Sequence, residues 1–164
     1  MRKIVTLALV LVPLQAAAAD FRHVRSEQAR VRALLTRGYE QSATLRELID
    51  ELESLPGIVY IDETHAFAGG LAGALLHTVA GTRDLPILRV LVRTNLASGY
   101  EIAILAHELQ HVREVLRAGA ATTPQAMTAL FRSLERGVGT AAAHLETREA
   151  QEITAEVLRE LRRR

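Results

Sequence analysis

The sequence predicts an α+β domain, mainly helical, with a small sheet of about three strands, antiparallel, packed near one histidine-bearing helix. Apolar residues recur at helical spacing before Pro56 and again after Gly99. Between those regions the texture changes to short runs rich in β-branched residues. The length, 164 residues, suits one domain and is short for two ordinary ones.

Composition narrows the function classes. Hydrophobic residues make up 49% and aromatics only 4%, so the core must be aliphatic. Lys and Arg total 20 against 19 Asp and Glu, a balance that gives no support to a nucleic-acid partner held by phosphate neutralisation. The absence of cysteine excludes disulfides, thiolate metal sites, iron–sulfur clusters and a cysteine nucleophile.

Residues 1–19 read as a secretory signal peptide. Arg2 and Lys3 are the positive start, Ile4 to Leu14 the apolar stretch, and Ala16 to Ala19 the small residues before a cleavage site. The stretch is too short to span a bilayer, and the alternative is an uncleaved anchor. Cleavage removes two basic residues and no acidic one, leaving arginine as the only basic type, because Lys3 is the sole lysine. Residues 20–164 are then expected to form one exported domain, periplasmic or secreted, with no stable membrane span.

The elements follow in order. Residues 22–37 carry Val24, Val31, Leu34 and Leu35 at roughly helical spacing until Gly38. Residues 42–54 make a better helix, with Ser42 as N-cap and Leu45, Leu48, Ile49 and Leu52 on one face; Pro56-Gly57 stops it. Three strands are expected at Ile58–Ile61, within Gly69–Val79, and at Ile87–Arg93, where Leu88, Val90 and Val92 alternate with Arg89, Leu91 and Arg93. The glycines at 69–73 weaken the middle strand and permit a loop instead. A helix over 100–118 ends at Gly119, Thr123-Pro124 opens the next, and Gly137 and Gly139 break that one. A last helix is expected over 141–162.

Residues 107–111 read His-Glu-Leu-Gln-His, the H-E-x-x-H pattern, inside the 100–118 helix. Residues four apart share a helix face, so His107 and His111 can reach one ion. Glu108, rotated by about 100°, can reach a water on that ion without ligating it, the arrangement of a general base in metal-assisted hydrolysis. Ile102, Leu105, Leu109, Val112 and Leu116 form the apolar stripe, and Gln110, Arg113 and Arg117 mark the solvent side. Glu108 lies on the flank of the apolar stripe, where an ordinary surface carboxylate would not sit. The competing reading is two half-buried histidines and a stray glutamate.

A catalytic zinc usually takes three protein ligands, and the last helix offers His144, Glu146, Glu149 and Glu152. On a helical wheel Glu146 is centred on the stripe of Ala150, Ile153, Val157 and Leu161, where an unpaired carboxylate is costly. Glu146 is the first choice and Glu149 the second, while His144 falls about 160° away. A buried salt bridge to an arginine is the competing role for Glu146. Tyr100 is a candidate for stabilising a developing oxyanion, against the alternative of a packed core tyrosine. Glu114 is a candidate partner of His111, against an ordinary surface glutamate. His23 reads as exposed, His65 as a loop residue after Asp62-Glu63-Thr64 that carries no site signal, and His77 as a satisfied core histidine.

His107-Glu108-x-x-His111 with a glutamate on a later helix resembles the gluzincin branch of the zincin metallopeptidases. Leu145-Glu146-Thr147 with Ala150 is similar to the E-T-x-x-A segment of small exported bacterial proteins carrying H-E-L-Q-H. The resemblance spans roughly residues 86–162. It implies a zincin-like domain holding one Zn2+ by His107, His111 and Glu146, with Glu108 as base. It also implies a peptide or protein substrate whose strand pairs with the sheet edge, Ile87–Arg93 being the candidate edge. The metzincin continuation is absent, since positions 114 and 117 are Glu and Arg. The sequence thus points to an exported zinc-dependent metallohydrolase, most simply a small peptidase. The alternatives are a non-catalytic exported binding or assembly protein with a structural metal, and a helical exported domain without metal.

Overall fold

A computed structural model of the chain describes residues 21–65, 67, 70–134 and 146–163. The expected signal segment, Gly137, Gly139, His144 and the expected helix start at 141–145 lie outside the described residues. The elements are β1 (Val24–Arg25), α1 (Ala29–Gln41), α2 (Ala43–Ser54), β2 (Ile58–Thr64), β3 (Gly73–Leu75), β4 (Ala80–Gly81), β5 (Pro86–Arg93), α3 (Ser98–Arg117), α4 (Pro124–Leu134) and α5 (Arg148–Arg162). The class is α+β and mainly helical, as the periodicity predicts. Among the described residues no helix is long and apolar enough to cross a membrane.

The sheet differs from the expected three antiparallel strands. It has five strands in the order β1-β2-β5-β3, with β4 also on β5. β1 pairs parallel to β2, and β2 pairs parallel to β5 from Ile58↔Ile87 to Thr64↔Arg93. Only β3 and β4 run antiparallel to β5. β5 is therefore interior and is not the candidate edge. Its near-continuous apolar run, Ile87 to Val92 broken by Arg89, is what an interior parallel strand requires. The alternation read from the sequence holds, with Leu88, Val90 and Val92 buried.

Val24 belongs to a strand rather than to the first helix. The Glu53 carboxylate at the end of α2 accepts from the backbone N–H groups of Arg22, His23 and Val24, each at 2.8 Å. This clamp holds the segment extended beside β2. Gly38 does not interrupt α1, which runs through it; a Cβ there would lie 2.6 Å from Leu45 Cδ2, so the glycine lets α1 and α2 approach closely. Ser42 caps α2 as expected, accepting from Leu45 N–H at 3.0 Å. Glu160 of α5 accepts from the Ser42 and Thr44 hydroxyls at 2.5 and 3.0 Å. Burial opposes a charge on Glu160, yet these hydrogen bonds outweigh it and hold the carboxyl below its ordinary range.

α3 is the central helix, packed against α1, α2, α5, β3 and β5. Its expected solvent side is largely covered: Gln110 is 2% exposed, and Arg113 is half-buried with its guanidinium 3.3 Å from Glu51 of α2. Neighbouring helices bring polar partners to that side, so polar residue type alone misreads it. Replacing Glu53 by Ala leaves three backbone donors to water and should lower stability by about 1–2 kcal/mol, measured by urea unfolding. An unchanged midpoint would show that the clamp contributes nothing.

Candidate metal centre

α3 carries both histidines on one face, and a carboxylate from the start of α5 reaches them. The ligand atoms of His107, His111 and Glu146 all lie within 4.8 Å of one another, forming a group that can hold a metal ion. The two Nε2 atoms are 3.1 Å apart, and Glu146 Oε2 is 3.3 Å from His107 Nε2. Ligands of a tetrahedral zinc at ordinary lengths stand about 3.3 Å apart, so this spacing fits a shared ion.

Glu146 reaches the site for a different reason than its helical phase suggested. α5 begins at Arg148, two residues later, and Glu146 precedes the helix. Thr147 is the N-cap: its hydroxyl accepts from Ala150 N–H at 3.2 Å and donates to Glu114 Oε1 at 2.8 Å. The fully buried cap thus fixes the chain immediately beside Glu146. Glu149, the second-choice ligand, is exposed on α5 and outside the group.

Hydrogen bonds behind the histidines settle their tautomers. The Thr154 hydroxyl donates to Ala150 O at 2.7 Å, so it accepts from His107 Nδ1–H at 3.0 Å. His111 Nδ1–H donates to Glu114 Oε2 at 3.0 Å. Glu114 is therefore no surface residue, and the carboxylate–histidine pairing typical of metal sites is present. Burial opposes its charge, but donors from His111, Gln110 and Thr147 hold the carboxyl below its ordinary range.

With both Nδ1 atoms protonated, two Nε2 lone pairs face each other at 3.1 Å. Such a pair is repulsive unless a cation lies between them. Burial alone would lower His111, but the Glu114 hydrogen bond and the nearby carboxylates raise it above the ordinary 6.5. His107 is lowered by burial and by His111. The two Nε2 atoms and the Glu146 carboxylate therefore suit a divalent ion.

Glu108 lies beside the group, 6% exposed, in the wall of an open cavity of about 220 Å³. Burial and the Glu146 charge raise its carboxyl to about 7, against the opposing pull of His111 and the Leu75 N–H. β3 presses on it: a Cβ at Gly73 would lie 2.5 Å from Glu108 Oε1 and 2.8 Å from Ile104 Cγ2. The glycine that weakened the strand in the sequence is what lets the strand approach the carboxylate. β3, not β5, is the edge facing the centre.

A wider groove shares Gly73, His107, Glu108 and Glu146, and continues past Tyr100 and Ile104 to Leu158. Tyr100 is 44% exposed on its wall, so it is not a core tyrosine. Sequence reasoning missed His77, which lines the smaller cavity rather than the core. Burial and the neighbouring His111 hold it below the ordinary imidazole range. An apolar run around a histidine carries no signal that distinguishes a cavity wall from a core. His65 is exposed just past β2, which takes in Asp62 to Thr64, and His23, expected to be exposed, is half-buried with Nδ1 3.1 Å from Leu55 O.

No family model, curated protein or solved structure matches this chain.

Replacing Glu114 by Ala should weaken divalent-metal affinity about 10–100-fold while the fold persists, measured by competition with a chromogenic chelator. Unchanged affinity would remove Glu114 from the centre. Metal affinity should also fall as pH drops through the raised His111 value, since a proton on that ring then competes with the ion. The same chelator competition repeated across pH measures this; an affinity that does not fall on acidification would contradict ligation by His111.

Proposed function

We propose that this chain is an exported zinc-dependent metallohydrolase that cleaves peptide bonds. The observation that carries the reading is Glu108: a buried carboxylate, lifted to about 7, in a cavity wall beside three metal-holding side chains. A base poised near neutral pH is what general acid–base catalysis requires. His107, His111 and Glu146 would hold the zinc, with Glu114 and Thr154 orienting the imidazoles. Bound zinc would supply Lewis-acid polarisation of the scissile carbonyl and lower the pKa of water.

Glu108 then takes the proton from the attacking water at a carboxylate oxygen and delivers it to the leaving amine. Its hydrogen bond from Leu75 N–H orients the carboxylate. The outer edge of β3, on which no described strand pairs, offers backbone groups for an extended peptide beside the base. Export rests on the pattern of residues 1–19, and one zinc per chain on the three-ligand set.

The purified protein is expected to bind about one zinc per chain, and His107→Ala to lose it. Glu108→Gln should keep the metal and lose about 10²–10⁴-fold in turnover, followed by mass spectrometry on a peptide library. Hydrolysis undiminished in Glu108→Gln would overturn the mechanism. Stoichiometric zinc with no hydrolysis in the wild type would favour a structural metal.

A further inference from the structure

His77 is the polar side chain in the wall of the smaller cavity that the mechanism leaves unused. Two contacts fix its ring. The Thr128 hydroxyl donates to Pro124 O at 2.9 Å, so it accepts from His77 Nδ1–H at 3.1 Å. The ring face stacks on Phe131, with centroids 5.6 Å apart and planes 12° apart. Phe131 in turn meets His111 edge-on at 5.1 Å. The stack His77–Phe131–His111 ties the orientation of His77 to the candidate metal centre. Nδ1 is occupied, and Nε2 has no hydrogen-bond partner among the described residues. A neutral imidazole in this tautomer presents a bare acceptor at Nε2.

We propose that His77 is a substrate-binding residue whose Nε2 accepts a hydrogen bond from a backbone N–H of a peptide lying in the cavity. This deepens the peptidase reading and rests on it. It states which chemical class the site selects: amides that still carry an N–H, over N-methylated amides of the same shape. Thr128 and Phe131 of α4 hold the acceptor in place, which gives α4 a role in substrate recognition that its distance from H-E-x-x-H in the sequence conceals. A ring held on two sides loses little freedom when the substrate binds.

The test uses the zinc-loaded full chain and a pair of probes, a short peptide hydroxamate and its twin with N-methylated backbone amides. Wild type should bind the first more tightly. His77→Ala should narrow that preference about three- to tenfold, the effect of one neutral hydrogen bond, at unchanged zinc content, and His77→Gln, which keeps an acceptor, should restore part of it. As a measurement that does not depend on the variants folding, 15N spectra of the wild-type histidines should show His77 protonated at Nδ1, with its Nε2 signal shifting when the hydroxamate binds. An equal preference in wild type and His77→Ala, or a His77 protonated at Nε2, would overturn the assignment and leave the peptidase reading standing. No hydroxamate binding to the zinc-loaded wild type would overturn both.

Discussion

Two imidazole Nε2 atoms facing each other at 3.1 Å are the constraint on which the rest of the site depends. Neither ring can relieve the contact by changing tautomer, because Thr154 holds one Nδ1 proton and Glu114 the other. A protein without use for a cation there would have little reason to bury a carboxylate behind one ring and a capping threonine behind that carboxylate. Each of those groups costs desolvation and is hydrogen-bonded to the next, with Gln110 also donating to Glu114.

α5 is the element that makes this arrangement possible. Its N-terminal end supplies Glu146 two residues before the helix, Thr147 as cap and donor to Glu114, and, in the second turn, Thr154 as acceptor from His107. Its far end covers the start of α2 through Glu160. The helix that completes the metal group is thus also anchored to the N-terminal helices, and movement of α5 would disturb both histidines. On the opposite wall, β3 comes so close to Glu108 that only glycine fits at position 73. Burial of the carboxylate lifts it toward neutral pH.

The local half of this was legible in the sequence. Helical phase brings His107 and His111 together whatever surrounds them, and the caps at Ser42 and Thr123 and the alternation of β5 are properties of short segments. The non-local half was not. Parallel pairing of β2 with β5 depends on a connection whose path no periodicity encodes, and it turned the expected edge into an interior strand. Glu146 was chosen for its phase on a helix that begins only after it; what brings it to the histidines is the cap at Thr147. Glu114 looks like a surface residue until the Thr147 cap of α5 reaches it, Gln110 donates to that same carboxylate, and His77 looks like core until a cavity opens beside it.

The central claim is that His107, His111 and Glu146 bind one divalent ion together. X-ray absorption at the zinc edge of the loaded full chain tests it most directly. The account predicts a shell of light ligands at about 2.0–2.1 Å with the multiple scattering of two imidazoles and a carboxylate oxygen. A shell with fewer than two imidazoles, or one of six water-like oxygens, would contradict it.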